Sequence, residues 1–211
     1  MIDCHCHLVD NSFKKDVDEV VARAIQSGVT SCVVVLEFPD QAEKVISLME
    51  RHRGVVWPSL GVHPIQKRNR CVQMKHVDAV LPLIEKYADT IVCVGEIGLD
   101  HSSHYKLTED DKKIQVEVFM RQLQLAERLN LPVNVHSRSS ASATLSVLSS
   151  YSCSVLLHAF DGDSGQIDEA VSRGYFLSIA PSFTISPQIH LRWEWKREGM
   201  NLRFCASPRN S

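Results

Sequence analysis

Ile2-Asp3-Cys4-His5-Cys6-His7 opens the chain, and three later runs close in the same way: Ile91-Val92-Cys93-Val94-Gly95-Glu96, Val133-Asn134-Val135-His136 and Val155-Leu156-Leu157-His158. Each is an apolar, β-branched stretch of strand length that ends on an imidazole or a carboxylate. Strands buried on both faces of a parallel sheet read as such continuous Val/Ile/Leu runs. In a barrel of parallel strands the C-termini all open onto one face, so residues remote in sequence converge there. Four imidazoles and a carboxylate gathered on one face suit Zn²⁺ or a similar divalent ion. A metal-dependent hydrolase is the expectation.

Outward from these runs the chain alternates apolar strands with amphipathic stretches. A helix from about Phe13 to Ser27 carries Val17, Val20, Val21, Ala24 and Ile25 as its stripe, and Gly28 stops it. Ser31–Leu36 reads as the second strand, Asp40–Arg51 as the second helix, and Val55–Leu60 as the third strand, where Pro58 argues for a break or a bulge. A helix follows on Val77, Val80, Leu81 and Ile84, interrupted or begun near Pro82. Thr90–Val94 then reads as the fourth strand and Glu109–Leu129 as a long helix. Strands at Leu131–His136, Ser154–His158 and Tyr175–Ile179 enclose two more helices, giving seven strands and six helices in strict alternation. A (β/α)₈ barrel averages about 250 residues, so the 211 residues predict an α/β, TIM-type (β/α)₈ barrel that is incomplete by about one strand and its last helices. An open doubly wound sheet is the alternative. Against it, no GxGxxG follows the first strand, and functional residues end several strands instead of gathering at one switch point.

Composition excludes other classes. Apolar content of 44% and charged content of 23% describe a globular chain with a sizeable core, and a net charge of −2 gives no overall pull toward nucleic acid or acidic membranes. No apolar run approaches the roughly 20 residues that span a bilayer, and the N-terminus lacks a leader pattern. Seven cysteines, several inside apolar runs, read as reduced buried thiols, which predicts an intracellular protein of the nucleus or cytoplasm. Cys4 and Cys6 alternate with His5 and His7 and so face the other side of the strand.

His-x-His on a strand turns both imidazoles to one face, the geometry for two ligands to one ion. Glu96, taken singly, reads as a surface acid opening a loop, or as a carboxylate bridging two metals roughly 3.5–4 Å apart in a hydrolytic site. His136 and His158, taken singly, read as satisfied core histidines. Jointly, at the ends of successive strands, they read as a site. Lys67-Arg68-Asn69-Arg70 is a basic loop, more often a solvated run than a grip on phosphate.

Five segments together resemble the TatD deoxyribonuclease family: His5-Cys6-His7, Gly61-Val62-His63-Pro64, Gly95-Glu96-Ile97-Gly98-Leu99-Asp100, Pro132-Val133-Asn134-Val135-His136-Ser137-Arg138 and His158-Ala159-Phe160-Asp161-Gly162. The Cys within His-Cys-His and the segment Arg128–Pro132 resemble in particular the third TatD-domain paralogue of animals. The resemblance covers about residues 1–180. It implies a metal-dependent barrel that hydrolyses DNA phosphodiesters, with 3′ exonuclease activity, DNA as its partner, and no obligate protein partner or membrane. It implies two divalent ions, Zn²⁺ or Mg²⁺/Mn²⁺, with His5 and His7 on one, His136 and His158 on the other, and Glu96 bridging. Related barrels bridge with a carbamylated Lys, so Glu96 favours this branch. His63 and Arg138 become contacts to the scissile phosphate, Arg138 through its planar fork.

The resemblance divides the chain into a barrel at 1–182 and an atypical tail at 183–211. Relatives continue to an eighth strand whose Asp is a metal ligand and proton acceptor, whereas here Asp168 is the last aspartate. This predicts one weakened metal site and reduced activity, with Asp100 or Asp161 as candidate substitutes. The other readings are a related barrel hydrolase of a phosphotriester, lactone or cyclic amide, and an inactive isoform that binds metal without turnover.

Overall fold

The β-branched runs form seven strands, β1 Ile2–Cys6, β2 Ser31–Val35, β3 Val56–Leu60, β4 Cys93–Gly98, β5 Val133–His136, β6 Val155–Leu157 and β7 Phe176–Leu177. The structure, a computed structural model, describes residues 1–178; the reading of a tail at 183–211, the boundary at 182 and the end of the last strand at Ile179 lie outside the described residues. All seven strands are parallel and pair in chain order, β1 to β7. A doubly wound sheet reverses its strand order at a switch point. Here the order never reverses.

The sheet curls. Five strand spacings in a flat sheet separate β1 from β6 by about 24 Å, yet the rings of His5 on β1 and His158 just after β6 stack with centroids 3.7 Å apart. A curled half-barrel of parallel strands with its helices outside is an incomplete TIM-type barrel. The helices are α1 Val17–Gln26, α2 Ala42–Arg51, α3 Met74–Lys86, α4 Glu109–Arg128, α5 Ala141–Leu148 and α6 Ser164–Ser172. Between strands and helices lies one core in which Val34, Leu36, Leu60, Ile84, Ile97, Phe119, Leu123 and Leu157 are wholly buried. No helix among the described residues is long and apolar enough to cross a membrane.

Two prolines behave differently from their sequence reading. Pro58 makes no bulge: β2 and β3 stay in register through Val34 opposite Pro58. In a strand the N and C=O of one residue point the same way, and the Pro58 carbonyl faces β4, accepting from Val92 N at 3.0 Å. Its missing N–H therefore falls on the side where pairing with β4 only starts, at Ser59 opposite Cys93. Pro82 neither begins nor breaks a helix, because α3 runs through it. Val77, Val80 and Ile84 bury one face of α3 completely, and that packing outweighs the roughly 3 kcal/mol against an interior proline.

Helix α4 holds the site loops from behind. Thr108 and Asp111 cap it reciprocally. Two buried glutamines then act as surrogate backbone partners. Gln122 Oε1 accepts from Val62 N at 2.7 Å and its Nε2 donates to Val62 O at 3.3 Å. Gln115 Oε1 accepts from Asp100 N at 3.0 Å and its Nε2 donates to Asp100 O at 3.2 Å. Buried polar backbone that lacks a ladder partner needs such a bond.

Candidate metal centre

The fourth strand lies later than Thr90–Val94 and continues to Gly98, so Glu96 sits within β4 and not at the end of the run. A bulge aims it. Gly95 faces Asn134 and Ile97 faces Val135, which leaves Glu96 as the extra residue against β5. Ser59 Oγ donates to Gly95 O at 2.8 Å and Glu96 N donates to Leu36 O at 3.3 Å. The carboxylate is thereby carried into the mouth of the half-barrel and is 2% exposed.

Around it stand five imidazoles. Glu96 Oε1 lies 2.6 Å from His158 Nε2, 2.8 Å from His136 Nδ1 and 3.6 Å from His63 Nε2. Glu96 Oε2 lies 3.5 Å from both His5 Nε2 and His7 Nε2, which are 3.1 Å apart. All five residues predicted as metal ligands are brought together, and His63 joins them. Arg138 stands just outside, exposed, with no ion pair among the described residues. Asp161 accepts from Ser139 N at 3.1 Å and is not among the groups whose ligand atoms converge.

Electrostatics in the cluster follow from burial and proximity. Burial alone would raise Glu96, but the imidazoles of His158, His63 and His5 hold it well below the usual carboxylate range. Burial pushes His158 down to about 3, with His5 adding to the effect, and pushes His63 down to about 4. Burial also lowers His7. His136 goes the other way: burial opposes its charge, but hydrogen bonds to Asp100 and Glu96 carry it up to about 9.

One oxygen of the cluster has no hydrogen-bond partner among the described residues. Glu96 Oε2 is buried and accepts nothing, a costly condition for a carboxylate oxygen. Tetrahedral bonds of about 2.0–2.1 Å put ligand atoms about 3.3–3.4 Å apart. The separations of 3.1 Å and 3.5 Å among His5, His7 and Glu96 Oε2 fit that spacing. His5, His7 and Glu96 could hold one ion, and His63, Glu96 and His136 form a second group with converging ligand atoms.

Two positioning residues escape the sequence reading. Asn134 Oδ1 lies 2.9 Å from His5 Nδ1, while Asn134 Nδ2 donates to Cys4 O at 2.9 Å, so β5 fixes the His5 ring across the barrel. Gly95 leaves room for it, since a Cβ there would stand 2.6 Å from Asn134 Cβ. Asp100 is no spare ligand facing the cluster. Its Oδ2 lies 2.9 Å from His136 Nε2, and its Oδ1 accepts from Ser102 N at 2.9 Å and Ser102 Oγ at 2.5 Å. Burial would raise Asp100, but His136 and Ser102 bring it to about 2. Ring nitrogens held from behind in this way are a recurrent property of metal-ligating histidines. Glu37, just past β2, also ends an apolar run, as Glu96 does; burial first, then the nearby Glu96 and Asp10, raise it to about 7.

A half-barrel of parallel strands with histidines and a buried carboxylate at its C-terminal mouth defines a metal-dependent hydrolase of the barrel class. The sequence profile of TatD related DNase matches residues 2–196, and the chain belongs to that family. It is 45% identical over 193 residues to deoxyribonuclease TATDN3 of Homo sapiens, covering 89% of this chain and 70% of that protein. It is 29% identical over 185 residues to the 3'-5' ssDNA/RNA exonuclease TatD of Shigella flexneri, covering 85% of this chain and 66% of that one. Among solved structures, the TatD homologue YJJV of Escherichia coli superposes with a TM-score of 0.76 at 27% identity, over 89% of this chain and 70% of that one. The chain spans about two thirds of the length of the curated relatives it matches.

Proposed function

We propose that the chain hydrolyses DNA phosphodiesters from the 3′ end, using two divalent ions, Zn²⁺ or Mg²⁺/Mn²⁺, that share Glu96. His5 and His7 would hold one ion, and His136 and His158 the other. The observation that carries this is the two-sided setting of Glu96. Oε2 faces one pair of imidazoles without a hydrogen bond, and Oε1 faces the other pair. The Shigella relative's name supplies the substrate class and the direction of attack. Bound there, such ions polarise a phosphate and acidify water.

The chain's own residues do the remaining work. Asp100 keeps a proton on His136 Nε2 and so commits Nδ1 to the cluster. Asn134 orients His5. His63, held by Ile65 through its Nδ1 at 2.9–3.0 Å, points Nε2 at the mouth, where it can touch the phosphate or join the ligands. Arg138, without an ion pair among the described residues, offers its planar fork to phosphate oxygens at the rim. Work inside the cell, in the nucleus or cytoplasm, is in keeping with the free thiols, among the described residues, at Cys6, Cys32, Cys71, Cys93 and Cys153.

The test is digestion of end-labelled single-stranded DNA by the metal-loaded protein beside a panel of phosphotriesters, lactones and cyclic amides. Stepwise shortening of 5′-labelled strands, lost in Glu96→Gln, is expected. Hydrolysis of the panel with DNA left intact would overturn the reading.

A further inference from the structure

The segment that joins β3 to α3 folds back as a two-stranded antiparallel ribbon, Ile65–Gln66 against Arg70–Cys71, turned at Lys67–Asn69. The ribbon is fixed to the metal cluster. Gln66 Nε2 donates to His63 O at 2.9 Å and to Glu37 O at 3.1 Å, and Val72 N donates to Pro64 O at 3.0 Å. It forms one wall of a groove of about 980 Å³ whose other walls are the loop after β2, the start of α3 and the loop before α4.

The lining is basic and aromatic. Lys67 meets Asp40 at 2.5 Å while its Nζ lies 5.4 Å from the Phe38 ring centroid. The other acid of the lining, Asp111, is committed to the cap of α4, accepting from Thr108 N at 2.9 Å and Thr108 Oγ1 at 2.7 Å. Arg68, Arg70 and Lys75 therefore face the groove with no ion pair among the described residues. Half-buried Phe38 and Tyr105 supply ring faces. Tyr105 also borders the site: burial, then Asp100 and Glu37, raise its phenol, with Arg138 opposing. The groove thus lies beside the cluster, tied to His63 and Glu37 through Gln66, and carries a row of cations without acidic partners among the described residues.

We propose that this groove holds the body of a single-stranded polynucleotide whose 3′ end lies at Glu96. Its phosphates meet Arg68, Arg70 and Lys75, and its bases stack on Phe38 and Tyr105. Sequence-tolerant single-strand binding combines a cationic track with aromatic platforms in this way. A duplex keeps its base faces stacked internally and cannot use the rings. The net charge of −2 leaves no general attraction to nucleic acid, so the contact depends on where these cations stand. The inference rests on the hydrolytic reading for its direction, but binding itself can be measured without hydrolysis.

The experiment is fluorescence anisotropy of 5′-labelled dT12 in EDTA across a salt series, with a blunt 12-bp duplex as comparison. R68E/R70E/K75E should weaken dT12 binding at least tenfold at low salt and lower the salt slope by about 2, since each single-strand phosphate contact carries about 0.7. R68Q/R70Q/K75Q should do the same more mildly, and Phe38→Ala with Tyr105→Ala should weaken binding with the slope kept. The control R23E/R53E/K86E makes the same change of charge at the other end of the sheet, where α1 and α3 finish and β3 begins. It should lose less than threefold, with thermal midpoints of all variants within about 2 °C. Equal losses in both triple variants, no loss in either, tighter binding of the duplex than of dT12, or no dT12 binding by the parent protein would each overturn the proposal. Should loss be confined to the groove variants while the metal-loaded parent cleaves no DNA, the groove stands and the hydrolytic reading falls.

Discussion

Asp100 Oδ2 lies 2.9 Å from His136 Nε2, on the opposite edge of the ring from the 2.8 Å approach of His136 Nδ1 to Glu96 Oε1. The imidazole is pinned between two carboxylates. Asp100 itself is anchored by Ser102 and by Gln115 of α4. Loss of such a partner behind a ligating histidine typically costs about 10–100-fold in metal affinity. Asp100→Ala should show that loss in a metal titration. Asp100→Asn should fall between, because an amide can accept from His136 or from Ser102 N but not from both. Unchanged affinity in Asp100→Ala would remove Asp100 from the site.

The matching change on the other side is Asn134→Ala, which frees His5 Nδ1. If His5 and His7 share an ion distinct from that of His136, this variant should weaken one binding step by about 10-fold or more and leave the other in place. Asp100→Ala should weaken the complementary step. Identical titration curves for the two variants would mean one ion, or ions that are not divided in this way.

His136→Ala and His158→Ala each take an imidazole from within 2.8 Å of Glu96 Oε1. Water is a poor replacement for a neutral nitrogen donor. Metal content should drop in both. Turnover of a labelled strand should fall about a hundredfold or more, in line with several kcal/mol of lost charge stabilisation. Full metal stoichiometry and parental turnover in both variants would refute their role.

How much of this could be read from residues follows physical lines. Strand identity was legible at β5 and β6 from short, mostly apolar and largely buried runs, and at β1 from the alternation of His5 and His7 with Cys4 and Cys6. Their histidines could be placed at one mouth because parallel order fixes which end opens. The bulge at Glu96 was not legible, since it is set by Ser59 on β3, Asn134 on β5 and Leu36 just past β2. Nor were Gln115 and Gln122, which look like ordinary polar positions on a long helix until Asp100 and Val62 are seen to need partners. Pro58 and Pro82 misled because a local rule met tertiary packing. The basic loop at Lys67–Arg70 read as a solvated run, and only the fold brings it beside Phe38 and Tyr105.

Gly98 tests the packing behind His136. Its φ is +137°, and an added Cβ would stand 2.0 Å from His136 O, a backbone atom that cannot swing aside. Strained backbone and overpacking each cost about 1–3 kcal/mol. Gly98→Ala should therefore lose about 3 kcal/mol, which lowers the thermal midpoint by about 6–12 °C for a chain of this size. A midpoint within 2 °C of the parent would show that β4 and β5 can part here at little cost.

The last prediction concerns Glu37, whose carboxyl accepts no hydrogen bond among the described residues and is held up to about 7 by burial and by Glu96 and Asp10, from an ordinary 4.5. The folded state thus binds this proton more tightly than the unfolded chain does. Between pH 4.5 and 7 the native state carries more protons, so stability falls as pH rises through that window. Below it Glu37 is neutral in both states and costs nothing; above it the full cost of a charged, half-buried acid is present. Because the group is partly solvated, screening reduces that cost to about 1 kcal/mol. Glu37→Gln removes the charge and keeps the shape. In chelator, its thermal midpoint should exceed the parent's by about 2–4 °C at pH 8 and equal it at pH 4. A gain of the same size at both pH values would assign the effect to packing, and a loss at pH 8 would mean that the Glu37 carboxylate has a cationic partner in the folded chain.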